Sequence, residues 1–182
     1  MRRKVVANIL LLIASLFMLL SIQAFWSASA YKSPYSGTVR IQLCMVLDGS
    51  GSIYSNDWVI IKQGIAKAIN ETIPRDGSVE LTIIQFGYSS SLGYAKTEIP
   101  PTIIDTNNYV AIANQILAIN QSAGSTPMAH GLYLGWKEIS NSPNFATAAK
   151  QVVNLATDGG PTDRNNNATR DLDGDGYTNQ YD

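Results

Sequence analysis

The chain is poor in the residues that most often announce chemistry. Among 182 residues there is one cysteine, Cys44, and one histidine, His130, and charged residues make up only 15%, with 13 Lys+Arg against 14 Asp+Glu. A single cysteine excludes an internal disulfide, so the fold is not a disulfide-stapled scaffold. The balance of charge excludes a basic nucleic-acid binder, which needs a net positive field. An apolar share of 45% excludes an ordinary disordered chain. No internal repeat is visible, and the length leaves room for one ordinary domain.

What is present is unevenly spread. Arg2, Arg3 and Lys4 open the chain, an apolar run follows from Val5 to Trp26, and Ala28-Ser29-Ala30 supplies a small-residue cleavage pattern. This three-part order reads residues 1–30 as an export signal. The apolar run also approaches the ~20 residues that span a bilayer, so the same segment reads as an uncleaved N-terminal anchor, the one route to a membrane. Either reading places the domain outside the cytoplasm, secreted or at the cell surface. Cleavage would leave 152 residues with a net charge of −4, and six of the 14 acids stand at Asp158 or later.

Residues 31–37 form a polar linker carrying Pro34 and Gly37. Thr38 to Leu47 alternates and then becomes continuously apolar, the pattern of a strand buried on both faces of a parallel sheet. Ser55 or Asn56 is placed to cap a helix reaching Ile73, with Trp58, Ile61, Ile65, Ala68, Ile69 and Ile73 on one face. Val79 to Phe86 predicts a second strand. Leu92 to Ile99 predicts a weaker edge strand that Pro100 and Pro101 end. Asn107 to Asn120 predicts a helix with Val110, Ala113, Ile116 and Leu117 inward. Thr126-Pro127 opens another, to about Ser140, in which Gly131 and Gly135 allow close approach to a sheet. Lys150 to Thr157 predicts the next buried strand. Trp58 and Trp136 read as core, as does Cys44. The order of elements implies an α/β architecture with a mostly parallel sheet and right-handed crossovers.

In such sheets ligands bind beyond the carboxyl ends of the strands. There the sequence has Asp48-Gly49-Ser50-Gly51-Ser52 after the first strand, Gly124-Ser125-Thr126-Pro127 after the second helix, and Asp158-Gly159-Gly160 after the last strand. Asp48, Ser50, Ser52, Thr126 and Asp158 all offer hard oxygen donors, and alternation in D-G-S-G-S points its three polar side chains the same way. Three hydroxyls and at most two carboxylates would under-neutralise a divalent ion, which would attract a further carboxylate from outside. Mg²⁺ suits an octahedral oxygen shell that keeps exchangeable waters; Mn²⁺ also suits it, and Ca²⁺ suits it less well. Each piece alone is equally a flexible turn or a helix cap. Their joint order at successive strand ends favours the metal site.

D-G-S-G-S after a buried strand, the Thr of G-S-T-P-M-A before a helix, and T-D-G after a later strand resemble the metal-ion-dependent adhesion site of von Willebrand factor type A domains. The resemblance covers residues 38–160. It implies a Rossmann-like, doubly wound sheet flanked by helices, with Ser50, Ser52 and Thr126 as direct metal ligands and Asp48 and Asp158 binding directly or through water. It further implies metal-dependent binding of a protein ligand that presents an Asp or Glu, and no catalysis. The family has further strand and helix elements after the Asp158 loop, so the domain is expected to be incomplete at its C-terminal side.

Residues 161–182 form a polar insertion or tail with a second oxygen-rich register. Counted from Asp171, acids stand at positions 1, 3, 5 and 12 (Asp171, Asp173, Asp175 and Asp182), with Gly176 at 6, the Tyr177 carbonyl at 7 and Asn179 at 9. That is the register of a Ca²⁺ loop. The polar stretch before it supplies no amphipathic helix, so it is more similar to the isolated loops of dockerin or thrombospondin type 3 repeats than to an EF-hand. Two other roles remain open at this level. The domain could serve assembly of a cell-envelope complex, with an ion that only stabilises loops. A serine hydrolase could be drawn from Ser50, His130 and Asp158, although Asp48 stands where the G-x-S-x-G elbow needs glycine.

Overall fold

The computed structural model describes residues 38–89 and 93–160. Residues 1–30, expected to be an export signal, the expected linker 31–37 and the 161–182 tail with its expected calcium loop lie outside the described residues. The elements are β1 (Ile41–Asp48), α1 (Ser55–Glu71), β2 (Asp76–Ser89), β3 (Gly93–Asp105), α2 (Tyr109–Ala118), α3 (Met128–Asn141) and β4 (Lys150–Ala156). Among the described residues they build one sheet in the order β3-β2-β1-β4. β1 runs parallel to both β2 and β4, and β3 pairs antiparallel with β2. No helix among the described residues is long and apolar enough to cross a membrane.

The run Leu43 to Leu47 is continuously apolar because β1 is central and feeds two cores. Leu43, Met45 and Leu47 face α1 and α2, where they meet Trp58, Ile65, Ile69, Ile112, Ala113 and Ile116. Cys44 and Val46 face the other way, with Ile84 and Phe86, toward Ile139 of α3. Helices therefore cover both faces, as a doubly wound sheet requires. Each such side chain contributes about 1.5–3 kcal/mol when fully buried. Burial, reinforced by the nearby negative charge of Glu138, pushes the Cys44 thiol up to about 12, so it packs as a neutral apolar group.

Five local expectations need correction. β4, expected to be a buried strand, is exposed at Lys150, Gln151 and Val153 and only partly covered at its other residues. Pro100 and Pro101 do not end β3, which continues to Asp105. They lie at a bulge: Leu81 pairs with Thr102 and Ile83 with Ile99, so β3 spends one residue more than β2 across the pair. An edge strand tolerates this, because missing N–H donors can face away from its single neighbour. In α2 the inward face is Ile112, Ala113 and Ile116, while Val110 and Leu117 are exposed. Trp136 is 56% exposed and leans on Tyr133, so only Trp58 belongs to the core. Ser55 begins α1 rather than capping it; Tyr54 is the cap residue and makes no side-chain cap bond.

Gly131 and Gly135 place α3 against the sheet. A Cβ at Gly131 would stand 2.7 Å from Phe86 Cδ1, and one at Gly135 would stand 2.9 Å from Cys44 Sγ. Phe86 is fully buried and cannot withdraw. Gly131→Val is therefore expected to destabilise the domain by about 1–3 kcal/mol through overpacking, read from the midpoint of urea unfolding.

Candidate metal centre

Asp48 ends β1 and is 1% exposed. Its Oδ1 accepts the backbone N–H of Ser50 at 2.9 Å, which folds D-G-S back on itself, and its Oδ2 accepts the hydroxyl of Thr157 at 2.7 Å. Ser52 Oγ donates to Asp158 Oδ1 at 2.9 Å, and Ser50 Oγ lies 3.0 Å from Ser52 Oγ. A hydroxyl has one proton, so with Ser52 committed to Asp158 the proton between the serines belongs to Ser50. The result is a directed line of oxygens, Ser50 to Ser52 to Asp158, beside the buried Asp48 carboxylate. Ser50 is fully buried, whereas Ser52 is exposed at the rim.

The fifth predicted residue, Thr126, sits on the segment 119–127 between α2 and α3 and is 7% exposed. α3 has Pro127 at its cap position, so Thr126 immediately precedes the helix. The segment forms a strap along the D-G-S-G-S turn. Gly51 N donates to Gly124 O at 2.9 Å, Ala123 N to Gly49 O at 2.7 Å, and Tyr88 N to Ala123 O at 3.0 Å. The strap crosses through left-handed backbone at Ala123 (φ 60°) and Gly124 (φ 75°). At Gly124 no side chain is admissible, since a Cβ would stand 1.9 Å from the Tyr88 carbonyl oxygen.

Sequence reasoning missed the residues that hold these loops. Thr157 was read only as the end of a strand, yet it fixes the orientation of Asp48. Gln121 Nε2 donates to the carbonyls of Ser50 (3.0 Å) and Ile53 (2.8 Å). Gln85 is 2% exposed, and its Oε1 accepts Ser122 N at 2.7 Å. The one available signal for Gln85 was its polarity inside the apolar run VELTIIQF.

The donor set suits a hard divalent cation. A buried carboxylate is normally paired, hydrogen-bonded throughout or metal-bound. Neither the Lys67–Glu71 nor the Lys96–Glu98 ion pair involves Asp48 or Asp158. Among the described residues no cluster of three or more His, Cys, Asp and Glu exists, so any ion held here depends on serine and threonine hydroxyls. The line from Ser50 passes through Ser52 to Asp158, and the His130 ring stacks on Tyr94 at 4.7 Å.

The family model for the von Willebrand factor type A domain matches residues 42–178. The chain belongs to the von Willebrand factor type A domain family. Among solved structures it is similar to the pilus adhesin SpaC from Lactobacillus rhamnosus GG, with 19% identity and a TM-score of 0.57, covering 69% of this chain and 16% of that one. It is also similar to proximal thread matrix protein 1 from the mussel byssus, with 18% identity and a TM-score of 0.54, covering 69% of this chain and 32% of that one. The chain thus spans well under half the length of either structure, and the likeness is one of fold. A search of curated proteins finds no match.

The Thr157 hydroxyl is the only side-chain donor to Asp48 among the described residues. Thr157→Val, which keeps the shape, is expected to cost about 1.5–3 kcal/mol of stability in metal-free buffer, measured by chemical denaturation, because a buried carboxylate oxygen loses its partner.

Proposed function

We propose that the chain is an exported, divalent-metal-dependent, adhesion-type protein-binding domain. In this reading Asp48, Ser50, Ser52, Thr126 and Asp158 hold Mg²⁺ or Mn²⁺, shared with an Asp or Glu of a protein partner. The observation that carries the reading is the convergence of Asp48, Ser50, Ser52 and Asp158 at the carboxyl ends of β1 and β4, joined by hydrogen bonds of 2.7–3.0 Å, with neither carboxylate in an ion pair among the described residues. Membership of the type A family supports it, and so does the description of the similar SpaC structure as a pilus adhesin.

When bound, a divalent ion supplies a coordination position where an incoming carboxylate can replace water. The residues of the chain prepare that position. Asp48 is held rigid by Ser50 N and Thr157 Oγ1, so little conformational freedom is lost when its remaining lone pairs are engaged. Ser50, Ser52 and Thr126 are neutral and leave positive charge uncompensated at the open face. Ser52, exposed at the rim, marks the side from which a partner carboxylate arrives. Binding of this kind gives specificity through charge, since a neutral or basic side chain has nothing to exchange for the water it would displace.

Calorimetric titration with Mn²⁺ tests the reading. The wild-type chain is expected to bind one ion at this site and Asp48→Ala none, with both proteins folded by circular dichroism. Equal titrations would refute it. We also propose, from the sequence register of residues 171–182, a separate Ca²⁺ site formed by Asp171, Asp173, Asp175, the Tyr177 carbonyl, Asn179 and Asp182. Asp175→Ala should remove a Ca²⁺ heat without changing the Mn²⁺ isotherm; a Ca²⁺ isotherm unaltered by the substitution counts against this second site.

A further inference from the structure

Gln85 holds the strap at two points, Asn120 and Ser122, just ahead of its left-handed pair. Its Oε1 accepts Ser122 N at 2.7 Å, and its Nε2 donates to Asn120 O at 2.9 Å and to Glu98 Oε1 at 2.8 Å. An amide can satisfy this set in one orientation only, with oxygen toward the Ser122 N–H and nitrogen toward two acceptors. Glu98 is itself fixed by Lys96, 2.9 Å from its other oxygen. On its other side Gln85 supports the D-G-S-G-S turn: a Cβ at Gly49 would stand 2.1 Å from Gln85 Oε1. Gln85 thus packs behind both loops of the candidate centre and links them to the edge strand β3 without being a ligand.

We infer that Gln85 is the positioning residue of the metal centre: it locks the 119–125 strap against the D-G-S-G-S turn and so sets the distance between Thr126 and the Ser50, Ser52 pair, with Glu98 fixing the orientation of its amide. This rests on the metal-binding reading above and adds to it a determinant of affinity outside the ligand set. The strap needs such a lock. It carries two consecutive left-handed residues, one of them the non-glycine Ala123, a strained conformation that persists only when its surroundings impose it. The Gln85 bonds to Asn120 and Ser122 fall within the three residues before that pair, and Thr126 falls two residues after it. With Gln85 removed, the strap keeps its bonds to the turn through Gly51, Ala123 and Gln121 but loses its tie to β2 and β3, so Thr126 is held less firmly relative to the serines while the two carboxylates stay in place.

The test is a double-mutant cycle in the full-length chain, with Mn²⁺ alone as probe and calorimetry as readout. Gln85→Met is expected to weaken Mn²⁺ about 10- to 100-fold, as loss of a group that orients metal ligands does. Thr126→Ala also weakens it, and the double variant should bind no more weakly than Thr126→Ala alone, because Gln85 acts through Thr126. A merely structural role would lower the melting temperature and leave the Mn²⁺ affinity of the folded protein unchanged. Gln85→Met affinity within about twofold of wild type overturns the inference, as do losses that multiply in the double variant. Should Gln85→Met fail to fold, Glu98→Leu on the edge strand replaces it: a smaller loss in the same direction is expected, and unchanged affinity overturns the proposal. Absence of Mn²⁺ binding by the wild-type chain would instead sink the metal reading itself, and this inference with it.

Discussion

Asp48 is 1% exposed at the end of the central strand, and among the described residues only a backbone N–H and one hydroxyl donate to it. Keeping a carboxylate there is costly unless the loops around it are held where they can compensate, and much of the surrounding structure serves that end. β1 must be central, because parallel neighbours on both sides bring the carboxyl ends of β2 and β4 level with Asp48. In the register Asp48 pairs with Phe86, and Leu47 with Ala156. The loops that leave those strands then fall on either side of one carboxylate. Thr157 enters from β4, and Gly49 N reaches across to Phe86 O at 2.7 Å. The apolar packing below the rim supplies the rigidity, and the polar line above it supplies the chemistry.

Much of this was legible in the sequence because burial writes simple patterns. The two-sided core produced the unbroken run of β1, the spacing of Trp58, Ile65 and Ile69 gave the face of α1, and glycines at 131 and 135 announced the close approach of α3. Four of the five predicted ligand residues are joined by hydrogen bonds at one rim, and Thr126 stands on the strap that pairs with their turn. What escaped was set by neighbours distant in sequence. The inward face of α2 is turned so that Val110 and Leu117 meet solvent, since α2 packs on α1 as well as on the sheet. The prolines of β3 read locally as a stop; only the presence of a single neighbouring strand makes them a bulge. Apart from the Gln85–Glu98 and Thr157–Gly159 bonds, Gln85, Gln121, Ser122 and Thr157 bond to groups between 35 and 109 residues away, and nothing in their immediate sequence contexts records those partners.

Apart from Thr82 in the middle of β2, the buried polar residues of the sheet gather toward its two ends. Gln85, Ser122 and Asp48 lie toward the carboxyl ends of the parallel strands. Gln42 and Glu80, paired in register across β1 and β2, lie toward the other end. There the Glu80 carboxylate, 3% exposed, accepts Gln42 Nε2 at 2.6 Å, Ser142 Oγ at 2.8 Å and Asn144 Nδ2 at 2.6 Å. The donors come from β1 and from the loop after α3, so the cluster ties that loop to the sheet.

The contrast between the two carboxylates separates structure from function at this level of detail. A carboxylate offers about four acceptor positions. Glu80 is ringed by three side-chain donors of the chain itself, and its charge is spread over a closed set of hydrogen bonds with no opening to the rim. Asp48 has one side-chain donor and one backbone donor, and its neighbours Ser50 and Ser52 pass their protons away from it, toward Asp158. Their lone pairs are thereby left facing the same region as the unused positions of Asp48. Folding alone would be served better by a second closed network like that around Glu80. An open one, braced by Gln85 and Gln121 from behind and exposed at Ser52 in front, is the arrangement expected where stability has been given up so that something from outside can complete the set.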